Sequence, residues 1–487
     1  MAVAEPTFYW YDFESTGADP RRDRPLQFAG LRTDADLEPV EAATVLYCAP
    51  PADVLPAPAA CRVTGIGPLA ARARGLCEAD FAAAVAAELG RPGTCAVGYN
   101  STRFDDEMAR HLLWRNLYDP YAREWRHGNS RWDLIDVLRL AHALRPQGLE
   151  WPEREPGVPS FRLEDLAAAN GLEHAAHDAL ADVHATLGLA RRLRAAQPRL
   201  FDFALRHRDK ASAAQLLRLD ASEPVLHVSE KYPAARGAIA PVAAIARHPR
   251  IANQVLVADL WADPDPLLAL DADALAERLF TPARARGNDQ APVPVKAVKL
   301  NAAPVLAPVN TLGQEAAARL GIDLEAARTN LARLRAAPGL AERVQAAFVR
   351  RPESAQPGDP DTALYDGLVG DDDRARLDAA RQCSAAELAA FDPGFSDPRL
   401  PDLVFRYRAR NWPQSLSAVE AERWRQLRWQ RLCRGEAGSP RSLPAFDEAL
   451  AAEVADGHLD ATLASELAQW RERLTADLPP CDEAGHD

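Results

Sequence analysis

The sequence predicts a multidomain α/β protein, and three observations carry that reading. Its 487 residues are too many for a single hydrophobic core, so two or three domains are expected. The first stretch of about 195 residues reads as strands followed by interleaved helices, the pattern of an α/β domain. Past Pro198 the pattern changes to short β-rich runs bounded by Pro, Gly and Asn, and then to helical segments. With 47% hydrophobic and 26% charged residues the composition is that of an ordinary soluble globular protein. No apolar run reaches the length needed to cross a bilayer, and Met1-Ala2-Val3-Ala4-Glu5 lacks a basic and apolar signal pattern, so no membrane association is expected. The seven cysteines are scattered and never form C-x-x-C, which argues against a zinc site or a disulfide framework and for the reducing cytoplasm. A net charge of −13 argues against a chain coated with nucleic acid but leaves room for a local basic track.

Taken in order, Phe8–Phe13 opens the chain as a buried strand, and Leu26–Leu31 and Thr44–Cys48 follow as strands of a meander with a turn at Thr33–Asp36. The Pro-rich loop Pro50–Pro58 leads to a helical run over Glu78–Leu89. Cys95–Asn100 is a short apolar strand, and Phe104-Asp105-Asp106-Glu107 opens the next helix. Helices are expected over Arg131–Leu144, Phe161–Asn170 and Ala179–Ala196. Short strands are expected at Val225–Val228, Val242–Ile245, Gln254–Asp259 and Val293–Leu300. Arg351–Pro360 reads as a linker, and Asp371–Phe391, Ala418–Leu432 and Ala445–Ala476 are helical by pattern.

The chemistry concentrates near strand and helix ends of the first domain. In Phe8-Tyr9-Trp10-Tyr11-Asp12-Phe13-Glu14-Ser15-Thr16-Gly17, strand alternation puts Asp12 and Glu14 on one face, roughly 6 to 7 Å apart along the chain. Two like charges so close raise each other's pKa unless a cation neutralises them, and two oxygen ligands on a rigid strand suit Mg²⁺ or Mn²⁺. The bland alternative is a surface hairpin end with two solvated acids. Asp105 and Asp106 sit where acids commonly complement a helix dipole. In His177-Asp178-Ala179-Leu180-Ala181-Asp182, a histidine at a helix entrance precedes a carboxylate one turn deeper, an arrangement that could serve as base beside metal ligand.

Together, Asp12-x-Glu14, Asn100-x-x-x-Phe104-Asp105 and His177-x-Ala179-x-x-Asp182 resemble the three motifs of the DEDDh family of 3′→5′ exonucleases. The likeness extends to the bacterial exodeoxyribonuclease I family through Asp23-Arg24-Pro25-x-Gln27-Phe28-Ala29, Gly98-Tyr99-Asn100, Arg103-Phe104-Asp105-Asp106-Glu107 and Tyr118-Asp119-Pro120-Tyr121. Asn129-Ser130-Arg131-Trp132-Asp133, Pro159-Ser160-Phe161-Arg162-Leu163-Glu164, Gln197–Asp202 and Tyr407-Arg408-Ala409-Arg410-Asn411 are similar as well.

That resemblance implies an RNase H-like exonuclease domain with a mixed central sheet over residues 1–197. An SH3-like β-rich domain with helical insertions over 198–350 and an α-helical C-terminal domain over 356–480 would follow. It implies processive degradation of single-stranded DNA to 5′-mononucleotides, in DNA repair and recombination, by a monomer whose domains wrap into a clamp. Asp12, Glu14 and Asp182 would ligate one Mg²⁺, Asp12 would be shared with a second, and Asp105 would help hold the second; Mn²⁺ would substitute. His177 would take a proton from the attacking water. Residues 103–162 carry ten arginines, no lysine and four tryptophans, a mixture suited to phosphates and stacked bases, although ten acids balance it. By resemblance Arg110, Tyr121, Trp125, Arg139, Arg145 and Phe161 would contact the strand, Arg162 would sit near its terminal nucleotide, Glu14 would also bind substrate, and Trp132 would sit mostly in the core. The resemblance also implies a partner, single-stranded DNA-binding protein, through its acidic C-terminal tail. The competing readings are a proofreading or RNA-trimming DEDDh enzyme and a catalytically inactive DNA-binding clamp.

Overall fold

The aromatic run at the start of the chain is a strand, β1 (Thr7–Ser15), and its alternation decides which face becomes core. Tyr9, Tyr11 and Phe13 pack on one side with Phe28, Phe81, Val85, Met108 and Leu112. Removing each such ring from water contributes about 1.5–3 kcal/mol. On the other side the Trp10 indole donates to Thr33 Oγ1 at 2.9 Å, and Asp12 and Glu14 continue that face. β1 pairs antiparallel with β2 (Pro25–Thr33) and parallel with β4 (Thr94–Gly98), and β2 pairs antiparallel with β3 (Thr44–Tyr47). The sheet is therefore mixed, with the metal-suited strand in its interior. Gly30 in β2 is a packing requirement, because a Cβ there would lie 2.3 Å from the Tyr9 hydroxyl.

The computed structural model describes residues 6–172, 178–281, 293–350 and 358–481. The chain divides into two compact units. The first gathers Met1–Ser130, His174–His184 and Gln356–Asp487, and the second Arg131–Glu173 and Ala185–Ala355. The second unit contains a five-stranded sheet in the order Val295–Lys299, Gln254–Asp259, Ile239–Arg247, Val225–Val228, Leu306–Pro308. Helices Leu324–Ala336 and Leu340–Val349 pack on it through Leu331, Leu334, Val344 and Phe348. No described helix is long and apolar enough to cross a membrane.

Several local readings differ from the sequence expectation. Ser130–Asp133 is a strand, and the helix starts only at Leu134, because the Asp133 side chain caps it by accepting from the Ile135 amide at 3.2 Å. The Pro-rich stretch before Glu78 holds two short helices, Pro58–Thr64 and Pro68–Arg74, each begun by a proline whose missing N–H costs nothing at a first turn. The helical pattern at Ala445–Ala476 is two helices, Leu443–Ala455 and Ala461–Thr475, parted at Gly457 (φ 68°). Most of the expected linker, residues 351–357, lies outside the described residues. Against the expectation of unpaired thiols, Cys433 and Cys481 form a disulfide. The helix Ala461–Thr475 lays Leu463, Leu467 and Trp470 against Leu432 and Phe446, and this packing returns the chain to Cys433.

In the first unit the C-terminal segments share a buried ionic network with the N-terminal ones. Arg24, Arg115, Arg406, Arg410 and Arg431 meet Asp53, Glu78, Asp359 and Asp361, and Arg24, Asp53, Asp361 and Arg431 have no solvent exposure. Asp361 accepts from Arg410 Nη1 at 2.9 Å, Arg431 Nη1 at 3.0 Å and Arg406 Nη1 at 3.2 Å. Burial alone would raise its pKa, but these guanidinium groups outweigh burial and hold it well below the usual carboxylate range. Arginines outnumber acids by one, and burial together with Arg24 pushes Arg115 down to about 10. Breaking such a network on one side leaves buried charge uncompensated. Asp361→Asn is therefore expected to cost about 3–5 kcal/mol of stability. The measurement is the urea unfolding midpoint, and a loss below about 1 kcal/mol would show that the arginines do not depend on this carboxylate.

Candidate active site

Three carboxylates converge at the end of β1. One ligand oxygen from each of Asp12, Glu14 and Asp182 lies within 4.8 Å of the others. Asp12 and Glu14 come from the strand, and Asp182 from the first turn of the helix Ala179–Ala196. That turn is positioned by two devices. The Asp178 side chain accepts from the Leu180 and Ala181 amides at 2.9 and 3.2 Å, and the Ala179 amide donates to Gln27 Oε1 at 3.4 Å. Gln27 pairs opposite Glu14 on β2, so the strand next to the acids also anchors the helix that brings the third one.

Asp105 enters from the helix Asp105–Arg115, whose first turn holds three acids. Its Oδ1 accepts from the Phe13 amide at 3.1 Å, which ties it to the strand between Asp12 and Glu14. Asp106 points elsewhere, into an internal ion pair. It accepts from the Tyr11 hydroxyl at 2.7 Å and from Arg123 Nη2 at 2.6 Å, and it is buried. The two neighbours thus have separate environments: Asp105 reaches the carboxylate cluster, and Asp106 anchors the helix start.

The electrostatics follow from this crowding. Burial, then Asp105, Asp182 and Glu14, push the Asp12 pKa well above the carboxylate range. Burial, then Asp182 and Asp178, raise Glu14 to about 8. Mutual repulsion of this kind is relieved by a divalent cation, and an all-oxygen donor set fits a hard one. The residues present therefore suit a magnesium-type ion. The loop after β1 is pinned beside them. Thr16 donates to Asp23 at 3.0 Å, Arg441 donates to Asp23 at 2.8 Å, and a Cβ on Gly17 would lie 2.4 Å from Asp23 Oδ2.

The remaining residues singled out from sequence separate by unit. His177 lies outside the described residues, as does His174. Trp125 is 61% exposed, and the Arg126 guanidinium stacks 5.4 Å from its ring. Tyr121 is half-buried beneath the Arg110 guanidinium, 5.6 Å away, and burial raises it to about 12. Arg110 is buried, with two glutamates on it. In the second unit Arg139 is held by Asp136 at 2.6 Å over the Phe161 ring, Arg145 and Arg162 are exposed, and Trp132 is buried edge-on to Phe201. Sequence reasoning passed over Tyr11, Gln27, Glu124 and Tyr365. Gln27 lay inside a quoted motif. The others gain meaning only from partners distant in sequence.

A mixed sheet whose central strand ends in metal-suited carboxylates, joined by an acid from a following helix, is the site of an exonuclease, and residues 9–190 match the family model described as Exonuclease. Residues 208–350 match the Exonuclease I SH3-like domain, and residues 358–474 the Exonuclease I C-terminal domain. The chain belongs to the exodeoxyribonuclease I family. It is 46% identical over 427 residues to exodeoxyribonuclease I of Escherichia coli K12, an alignment covering 88% of this chain and 90% of that one. Among solved structures it is similar to the moderately thermophilic exonuclease I of Methylocaldum szegediense, with a TM-score of 0.92, 48% identity and 96% and 99% of the two chains covered. It is also similar to the zinc-bound E. coli exonuclease I complex with single-stranded DNA, with a TM-score of 0.90, 43% identity and 97% and 100% covered.

The raised Glu14 carboxyl has a measurable consequence. Without metal it keeps its proton to about pH 8 when folded but loses it near 4.5 when unfolded. Its contribution to stability is thus present at low pH and lost as the pH rises through 8. In EDTA the melting temperature is expected to fall between about pH 4.5 and 8, and Mg²⁺ should restore more of it at the upper end, because carboxylates bind metal deprotonated. Glu14→Gln should flatten part of that slope. An unchanged slope in the variant would mean Glu14 does not titrate there.

Proposed function

We propose that this chain is a processive 3′→5′ exonuclease that degrades single-stranded DNA to 5′-mononucleotides. The observation that carries the reading is the convergence of Asp12, Glu14 and Asp182, with Asp105 tied to the same strand. In this reading Asp12, Glu14 and Asp182 hold one Mg²⁺, and Asp12 and Asp105 a second. Such a pair, when bound, supplies charge that stabilises both the attacking and the leaving oxygen of a phosphodiester. His177, by its motif spacing to Asp182, takes the proton from the attacking water. Arg162 and Glu14 position the terminal nucleotide, and Arg110, Tyr121, Trp125, Arg139, Arg145 and Phe161 receive the rest of the strand. The exposure of Trp125 and Arg145 supports stacking and phosphate contact at those positions. The single-stranded DNA bound in the similar E. coli structure supports the substrate class.

The same reading makes the chain a cytoplasmic monomer acting in DNA repair and recombination. Its partner there is the acidic tail of single-stranded DNA-binding protein, and its domain boundaries fall near residues 197 and 350–356.

The test uses 3′-labelled and 5′-labelled single-stranded oligodeoxynucleotides with Mg²⁺. The native chain should release mononucleotide at once from the 3′ label and give a shortening ladder from the 5′ label. Asp12→Ala should reduce the rate by at least about a thousandfold, the equivalent of several kcal/mol of transition-state stabilisation. Release of label from the 5′ end first would reverse the polarity, and degradation of RNA but not DNA would change the substrate. His177→Ala should lower kcat by about 10²–10⁴-fold with KM little changed, and a smaller loss would remove His177 as the base. With a heparin trap added after strand engagement, native enzyme should still finish each strand; a distributive ladder would overturn processivity.

A further inference from the structure

Arg110 lies on the same helix as Asp105, five residues on, which places its Cα about 7.5 Å further along the axis. Its guanidinium has two differently occupied edges. Nε and Nη2 make a bidentate pair with Glu124, at 2.7 and 2.9 Å. One carboxylate in that geometry already neutralises an arginine. Nη1 nevertheless meets a second carboxylate, Glu107 Oε1, at 2.5 Å, and the Tyr365 hydroxyl at 3.2 Å. The Tyr365 hydroxyl in turn donates to Glu107 Oε2 at 2.5 Å.

The two edges also differ in exposure. The Glu124 side chain is 9% exposed, the Glu107 side chain 20% and Tyr365 51%, so the second edge opens to solvent and the first does not. Glu107 is thus a surplus negative charge, held at the open edge by two hydrogen-bond donors. A phosphate offers those donors the same fork of anionic oxygens as a carboxylate does.

We propose that Arg110 Nη1 and the Tyr365 hydroxyl form a two-donor phosphate subsite for the DNA strand, capped by the Glu107 carboxylate until a strand phosphate displaces it. The inference rests on the reading of Arg110 as a strand contact and adds Tyr365 and Glu107 to it with opposite signs. Tyr365 comes from the segment after residue 357, so the strand surface near the carboxylate cluster draws on the C-terminal part of the first unit as well as on the helix Asp105–Arg115. Glu124 keeps Arg110 neutralised throughout the exchange, and the proton of Tyr365 stays on its oxygen, passing its hydrogen bond from Glu107 to the phosphate.

The experiment is fluorescence anisotropy of a labelled oligo-dT with the full chain in EDTA, where binding is read without cleavage. Glu107→Gln keeps the side-chain volume and removes the charge, and it should tighten binding by about three- to tenfold at low salt, with the gain shrinking as salt rises. Tyr365→Phe should weaken binding by about three- to tenfold, the loss of one hydrogen bond to an anion. Arg110→Gln, which removes the charge and the forked donor, should weaken it at least about tenfold. Thermal melting of each variant confirms folding. If Arg110→Gln weakens binding while Glu107→Gln gains nothing or Tyr365→Phe loses nothing, the capped subsite is wrong although Arg110 still touches the strand. If Arg110→Gln binds like the native chain, the strand does not reach Arg110, and the reading beneath the subsite falls with it.

Discussion

The constraint on which the site depends is the confinement of like charges at the end of one rigid strand. Asp12, Glu14 and Asp182 are so close that Asp182 opposes the ionisation of both strand acids, and Glu14 that of Asp12. Nothing in their own interaction favours that arrangement, so the surrounding structure must impose it. Three attachments do so: β1 is locked between β2 and β4, Asp105 is fixed by the Phe13 amide, and Gln27 meets the start of the helix that carries Asp182. Strain of this kind is what makes a cation site strong, because the ion relieves repulsion that the fold has already stored.

Support of that rigidity extends well beyond the sheet. Asp106, next to Asp105, is consumed by Tyr11 and Arg123, and this ion pair sets the direction of the helix that presents Asp105. Arg24, just before β2, belongs to the network that contains Asp361 from the C-terminal region. The loop after β1 is held by Asp23 and Arg441, again a partner from the far end of the chain. Within the first unit the nuclease strands and the C-terminal segments therefore share buried charge as well as apolar core. An isolated N-terminal fragment would keep Glu78 beside Arg24 and Arg115 but leave Asp53 without Arg410 and Arg431, a cost that an apolar interface would not impose.

What the sequence made legible is what local spacing encodes. Strand alternation put Asp12 beside Glu14, the three-residue step from Ala179 put Asp182 one turn into a helix, and aromatic positions in β1 announced a core face. Features whose partners are remote were not legible. No spacing rule connects Asp53 to Arg410 and Arg431, or Glu107 to Tyr365, 258 residues apart. Cys433 and Cys481 formed no recognisable pattern, and only the packing of Trp470 and Leu467 against Phe446 brings them together. Arg131–Asp133, expected as the start of a helix, is strand: Arg-Trp-Asp is compatible with either state, and the Asp133 cap, not the periodicity, marks where the helix begins.

Charge balance also explains how an acidic chain can hold a polyanion. Arginines in the stretch from Arg103 to Arg162 are matched one for one by acids, and in the structure many are paired: Arg110 with Glu124 and Glu107, Arg123 with Asp106, Arg126 with Asp119, Arg139 with Asp136. Paired arginines are fixed in orientation before a strand arrives, which lowers the entropy lost on ordering them. The buried Arg123–Asp106 pair does this for the helix start, while the Arg126–Asp119 pair lies nearer the surface. A net charge of −13 is compatible with an exonuclease whose arginines are oriented by neighbouring acids, because a local arrangement of charge and not the net balance sets where an anion is attracted.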